Sequence, residues 1–189
     1  VAVGADGIIY FTDSEASRIY RIGASGELAV FSTQVAQPKA IAISNDDEQI
    51  FVSGAGNTIW RLSPDGRQRS QLVAFADPGQ VAAMAIDEEG NLYVARDGGG
   101  KVSVCNRDGK LVDSIPIPGP RVIGVAFGGY EMDCLFVGEA ESGAVYRVKV
   151  ARRSQRMLWE PGGPLRPSRD DSAFPRSERR LWVPRLRQP

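Results

Sequence analysis

The sequence predicts an all-β protein, a β-propeller built from four-stranded antiparallel blades. Three observations predict it: a repeat of 41 to 43 residues, short strand-like runs bounded by turn residues, and the lack of a helical period. A four-stranded unit of this length is typical of a propeller blade. About three and a half blades fit between residues 1 and 150, in units near 1–31, 38–75, 81–117 and 121–150.

The first two strands of each unit carry the clearest pattern. The first is a nearly continuous apolar run, at 40–43, 81–86 and 122–127, which suits a strand buried on both faces. A turn rich in Asp, Glu and Gly follows it. The second strand then repeats an aromatic residue at intervals of 41, 42 and 43, at Tyr10, Phe51, Tyr93 and Phe136.

The outer strands complete the unit. The third strand carries aromatic residues in step, and we expect them to pack between blades: Tyr20, Trp60 and Tyr146. The fourth strand closes the unit at 27–31, 71–75 and 111–117, and the last unit lacks a convincing one. Because the chain starts at Val1 inside a strand-like run, we expect a partial ring whose open blade edge can self-associate.

Composition excludes several classes of site. The 189 residues contain no histidine, which removes Ser-His-Asp and Cys-His catalysis and histidine-ligated zinc. No apolar run approaches the ~18 residues that a membrane helix needs. Cys105 and Cys134 match no zinc spacing, so we interpret them as small buried thiols, with a bridge between them as the alternative. Nothing in these residues predicts a cellular compartment.

The last 39 residues differ in character from the rest. Residues 151–189 hold ten Arg, four acidic residues and six of the 12 prolines. We predict a tail that is disordered or not native to the fold. A basic nucleic-acid arm is the alternative, but residues 1–150 carry a net charge of −6, so we expect no nucleic-acid partner.

Several stretches resemble the regucalcin/gluconolactonase family, which includes luciferin-regenerating enzymes. They are 7–13, 87–96, 108–110 and 125–129, and the most specific is Ala126-Phe127-Gly128-Gly129, followed by Phe136-Val137. The resemblance implies a six-bladed propeller that hydrolyses sugar or related lactones. It also implies one divalent cation, often calcium, on the central axis.

The family holds its cation through residues at the starts of first strands. Lys39 stands where the family has an Asn, and Ala82 stands where it has an Asp. Neither side chain is an oxygen ligand of the kind that calcium prefers. A second hypothesis therefore stands beside the lactone hydrolase: a non-catalytic binding propeller of the NHL-repeat kind, with a protein or small ligand. The sequence leaves open whether the chain is an enzyme.

Propeller topology predicts where a site would lie. The starts of the first strands and the ends of the second strands lie on one face of the propeller, the channel mouth. Ligands often bind at such a mouth. We expect six residues there: Asp13, Lys39, Ala82, Arg96, Arg121 and Glu139. Asp13 and Glu139 are candidate bases or cation ligands, and Lys39 is a candidate base or anion contact. The alternative is that the acids cap turns or pair with arginines, and that Lys39 is a solvated rim lysine.

Overall fold

The computed structural model of the protein describes residues 1–44 and 46–150. Its strands form four antiparallel sheets, each following chain order, which we number as blades 1 to 4. Blade 1 comprises β1 (Ala2–Val3), β2 (Ile9–Asp13), β3 (Arg18–Ile22) and β4 (Leu28–Ser32). Blade 2 comprises β5 (Ile41–Ile43), β6 (Ile50–Gly54), β7 (Thr58–Leu62) and β8 (Arg69–Ala74), with a short 3-10 turn, η1 (Ala55–Asn57), between β6 and β7.

The other two blades follow the same plan. Blade 3 comprises β9 (Gln80–Ile86), β10 (Leu92–Asp97), β11 (Lys101–Cys105) and β12 (Leu111–Pro116). Blade 4 comprises β13 (Val122–Gly128), β14 (Cys134–Glu139) and β15 (Ala144–Lys149), and has three strands within the described residues. The predicted tail, residues 151–189, lies outside the described part of the chain.

The first strands of the four blades lie side by side around a common axis. Strand β1 contacts β5, β5 contacts β9, and β9 contacts β13. This arrangement confirms the predicted propeller, because successive sheets fan around a shared inner wall instead of joining into one sheet. The described residues form four blades, the last of them with three strands, and the six-bladed ring that the resemblance implies stays a prediction.

The hydrophobic core lies between the blades. One cluster joins Tyr10, Ile19 and Phe31 of blade 1 to residues of blade 2 that include Val52 and Leu62. Similar clusters join blade 2 to blade 3 and blade 3 to blade 4, the latter through Leu135 and Val137. Each blade therefore depends on its neighbour to bury one apolar face, as repeat architectures do.

The outward sheet face of blade 1 is largely exposed, with Val3, Leu28 and Val30 among its exposed apolar residues. Cross-strand pairing places one row of apolar residues on this face and a second row beside it: Val3, Ile9, Ile22 and Leu28, then Phe11, Tyr20 and Val30. Phe11 and Tyr20 stack with ring centroids 5.3 Å apart. Tyr20 therefore does not pack between two described blades, whereas Trp60 and Tyr146 contact the clusters that join blades.

Both cysteines are free and buried, as the sequence predicts. Burial raises the pKa of the Cys105 thiol to about 11, so the thiol is protonated at neutral pH. Among the described residues, no helix has the length and apolar character needed to cross a membrane.

Candidate functional site

A β-bulge marks the start of the first strand in blades 2, 3 and 4. In blade 3, the pairs Val81↔Arg96 and Ala83↔Ala95 leave Ala82 as the extra residue. In blade 4, the pairs Val122↔Glu139 and Gly124↔Gly138 leave Ile123 in the same place. Bulges change the direction of a side chain and occur often beside functional sites.

Blade 2 has the same irregularity. The Ser53 carbonyl accepts a hydrogen bond from Lys39 N (3.0 Å), while Ser53 N donates to the Ala40 carbonyl (2.9 Å). Two residues, Lys39 and Ala40, thus oppose one. The three bulge residues, Lys39, Ala82 and Ile123, occupy equivalent positions at the mouth end of the inner wall.

The register puts Ile123, and not Arg121, in line with Lys39 and Ala82. Arg121 lies two residues earlier, where its Nε and Nη2 donate to the Asp97 carboxylate at 2.6 and 3.2 Å. That pairing raises the pKa of Arg121. Sequence reasoning missed Ile123 because it looks like one more member of an apolar run, although the spacing from Ala82 matches the repeat.

Arg96 lies beneath the mouth surface rather than on it. Its side chain is fully buried, and its guanidinium carbon lies 3.9 Å from the centre of the Phe75 ring. Its Nη1 donates to the Asp77 carboxylate at 3.2 Å and its Nη2 donates to the Gly79 carbonyl at 2.8 Å. Arg96 thereby fastens the segment that links blades 2 and 3, which leaves it no exposed group for a ligand.

Glu139 is also committed to the local structure. Its carboxylate accepts hydrogen bonds from the backbone N–H groups of Arg121, Glu141 and Ser142 and from the Ser142 hydroxyl. The Ser142 hydroxyl and then the backbone donors lower the pKa of Glu139 to about 2. A carboxylate so stabilised in its charged form is a poor general base, and its acceptor capacity is already used. Glu139 therefore fits the turn-capping alternative.

Asp13 and Lys39 retain capacity for a ligand. Asp13 is partly exposed; its Oδ1 accepts a hydrogen bond from Ala16 N at 2.8 Å, and its Oδ2 accepts none within the described residues. The Lys39 side chain is exposed and has no ion-pair partner among the described residues. Both sit at the junction of blades 1 and 2, where the Thr12 hydroxyl donates to the Lys39 carbonyl at 2.6 Å.

The described residues do not fit the cation that the family resemblance implies. The bulge positions offer an ammonium and two apolar side chains, none of which is an oxygen ligand. Glu139 is saturated by its own turn. No group of three or more Cys, Asp or Glu side chains within residues 1–44 and 46–150 is arranged to hold a metal ion.

A cavity of about 640 Å³ lies toward the other end of the inner wall. Its lining includes Ile43, Ile86 and Phe127 and contains none of the six predicted mouth residues. The carboxylate of Asp47 in that lining already accepts hydrogen bonds from Ala5 N and Asp6 N. The mouth, which keeps uncommitted charged groups, is therefore the better candidate site.

The chain is similar to characterised lactonases. It is 28% identical over 136 residues to pentonolactonase XacC of Haloferax volcanii, covering 68% of this chain and 47% of that protein. It is 26% identical over 132 residues to 6-deoxy-6-sulfogluconolactonase of Pseudomonas putida, covering 66% of this chain and 45% of that protein. The chain thus spans about half the length of the curated relatives it matches.

The fold matches a solved regucalcin, a calcium-binding protein from Agrobacterium tumefaciens. The TM-score is 0.71 at 17% identity, over 82% of this chain and 61% of that one. The sequence profile of the SMP-30/Gluconolactonase/LRE-like region matches residues 2–141. By this match, which extends over most of the chain, the protein belongs to the SMP-30/gluconolactonase/LRE-like family.

Proposed function

We propose that the chain hydrolyses sugar lactones and that the substrate enters at the mouth lined by Lys39, Ala82 and Ile123. The observation that carries this proposal is the family match over residues 2–141, together with bulges that set one residue of each blade at the mouth. The two lactonase relatives, one named for pentonolactones and one for a sulfonated gluconolactone, support lactones of sugar acids as the substrate class.

Hydrolysis of a lactone requires water to attack the ring carbonyl and the ring oxygen to leave. A carboxylate beside the water assists by accepting one of its protons and returning a proton to the departing ring oxygen, which leaves as a hydroxyl. Among the acids that the sequence places at the mouth, Asp13 is suited to this role because its Oδ2 is uncommitted, while Glu139 is held by four donors. Asp13 is therefore the proposed base.

Whether the proposed hydrolysis needs a divalent cation is a separate question. The family resemblance suggests a divalent cation in a six-bladed ring, but Lys39 and Ala82 do not supply its ligands. We therefore propose a mechanism for these residues that uses no cation bound at Lys39 or Ala82. Treatment with a chelator, followed by return of calcium, tests this part separately.

The test of the function is acid release from gluconolactone and from a pentonolactone, followed at constant pH with the spontaneous rate subtracted. The parent chain should release acid above that rate. Asp13→Asn should lower kcat by about 100-fold, the lower range of general-base effects. Asp108→Asn, in an exposed turn, is the matched control and should keep the parent rate. A parent chain that only matches the spontaneous rate would overturn the proposal.

A second candidate function is the non-catalytic, NHL-like binding propeller. The observation that favours it is the chemistry of the mouth, where the bulge residues lack oxygen ligands and Glu139 is already saturated. Calorimetric titration with the same lactones discriminates the two. Binding without acid release supports the binding propeller, whereas acid release that Asp13→Asn abolishes supports the hydrolase.

A further inference from the structure

The exposed cation at the mouth points to the charge of the ligand. Lys39 is the bulge residue of blade 2, and the equivalent positions in blades 3 and 4 hold Ala82 and Ile123. The inner wall at this level therefore presents one ammonium group beside two apolar side chains. A ligand seated there meets a positive charge that neither equivalent position balances.

Three other basic groups near the mouth are paired with acids, whereas the exposed Arg18, which lies across the strand pair from Asp13, has no ion pair within the described residues. Arg96 pairs with Asp77 at 3.2 Å, and Arg121 pairs with Asp97 at 2.6 Å. Lys101 also pairs with Asp77, and its hydrogen bond is the largest cause of the lowered pKa of that carboxyl. Lys39 differs from these three, because no acid lies within ion-pair distance of it in the described residues, and unlike Arg18 it stands at a bulge of the inner wall.

The backbone at Lys39 is fixed even though its side chain is exposed. Its N–H donates to the Ser53 carbonyl at 3.0 Å, and its carbonyl accepts from the Thr12 hydroxyl at 2.6 Å. The backbone of the residue is thus held by blades 1 and 2 together, while its side chain is exposed. A positioned lysine of this kind binds an anionic group as a point charge.

We propose that Lys39 selects lactones that carry a second, negatively charged group, such as a carboxylate, sulfonate or phosphate away from the lactone carbonyl. The inference rests on the proposed function and deepens it by naming the charge of the substrate. Asp13 is the acid that faces the same blade junction, and it opposes the selection in part. The ammonium of Lys39 contacts the ring substituent, while the reacting carbonyl lies elsewhere.

The test compares two lactones that differ at one carbon. Glucaro-1,4-lactone carries a carboxylate at carbon six, where glucono-1,4-lactone carries a hydroxymethyl group. Lys39→Gln should lower kcat/KM for the glucarolactone by about tenfold, equivalent to about 1.4 kcal/mol. The neutral lactone should change by less than about twofold, because it loses no charge pair. Raising the salt concentration should shrink the difference.

Matched variants separate charge from structure. Lys39→Arg should restore the preference for the anionic lactone, since it keeps the charge. Lys149→Gln should leave the preference unchanged, because Lys149 lies at the far end of β15 and pairs with Asp133 at 3.1 Å. Equal losses on both lactones in Lys39→Gln, or no loss on either, would overturn the inference while leaving lactone hydrolysis intact.

A binding measurement keeps the inference testable if neither lactone is hydrolysed. In that case the proposed function fails, and calorimetric titration with the same two lactones replaces the rate assay. The inference then requires the parent chain to bind glucarolactone more tightly than gluconolactone, and Lys39→Gln to remove that difference. Equal affinities in the parent chain would overturn it.

Discussion

Replacing Arg96 by Met should destabilise the fold by about 2–3 kcal/mol. The guanidinium stacks on Phe75 at 3.9 Å, and such a desolvated cation–π contact contributes about 2 kcal/mol. Its hydrogen bonds to Asp77 and Gly79, at 3.2 and 2.8 Å, contribute about 1.5 kcal/mol each. Removing the fully buried charge also relieves its desolvation cost, which offsets part of the loss.

Urea unfolding of the full chain, followed by circular dichroism at pH 7, measures this change. With a dependence on urea of about 2 kcal/mol per molar, the midpoint should fall by about 1–1.5 M. Phe75→Leu keeps an apolar side chain but removes the ring, and should cost about 1–2 kcal/mol. Because the two groups touch, the double variant should cost less than the two single costs added together.

Two results would refute this reasoning. A midpoint for Arg96→Met within about 0.2 M of the parent would mean that the buried guanidinium does not fasten the linking segment. Additive costs for Arg96→Met and Phe75→Leu would mean that the stacking contributes nothing. Weaker lactone binding together with an unchanged unfolding midpoint would place Arg96 on the surface of the channel mouth, as the sequence predicts.

Three further predictions concern stability and association. The folded-state pKa of Glu139 is lowered from 4.5 to about 2. Its charged carboxylate therefore stabilises the fold above pH 4.5, and this stabilisation is lost as the pH falls toward 2. Glu139→Gln should abolish the fall of the urea midpoint that Glu139 causes over this pH range. Leu135→Ala, at a fully buried position, should cost about 3 kcal/mol by urea unfolding, and Leu111→Ala, at an exposed one, less than about 0.5. We propose that the exposed outward face of blade 1 self-associates. Leu28→Lys on this face should lower the mass measured by light scattering at high protein concentration, whereas Leu111→Lys, at another exposed position, should not. An equal effect of both substitutions would contradict this face as the interface.

The strands were predictable because their signals are local. Residues 50–54 read as an apolar run with an aromatic residue and form β6 (Ile50–Gly54). The same pattern at 92–96 forms the first five residues of β10 (Leu92–Asp97). A strand between two blades is buried on both faces, so its sequence is apolar throughout, and turn residues bound it on each side. Repetition of such units then predicts the propeller.

The mouth was less predictable because it depends on pairing between distant residues. A bulge at Ile123 exists only relative to Gly138 and Glu139 on the partner strand, and nothing in the local run distinguishes Ile123 from its neighbours. Arg96 stands at a strand end in the sequence, but Phe75, which follows the last strand of the preceding blade, covers it. Glu139 offered a local signal, since a serine three residues later in a turn is well placed to donate to it.

The charged side chains at the mouth differ in whether they already have partners within the fold. Asp77 and Asp97 are paired with basic side chains, and Glu139 is held by backbone and hydroxyl donors. These carboxylates therefore already have partners that hold the loops in place, and a ligand would have to displace one of those partners to bind them. Lys39 and Asp13 meet no such competition, because the fold leaves the ammonium unpaired and one carboxylate oxygen unbonded within the described residues. Under the proposed function, a ligand at the mouth would therefore meet Lys39 and Asp13 without displacing a contact that holds the fold together.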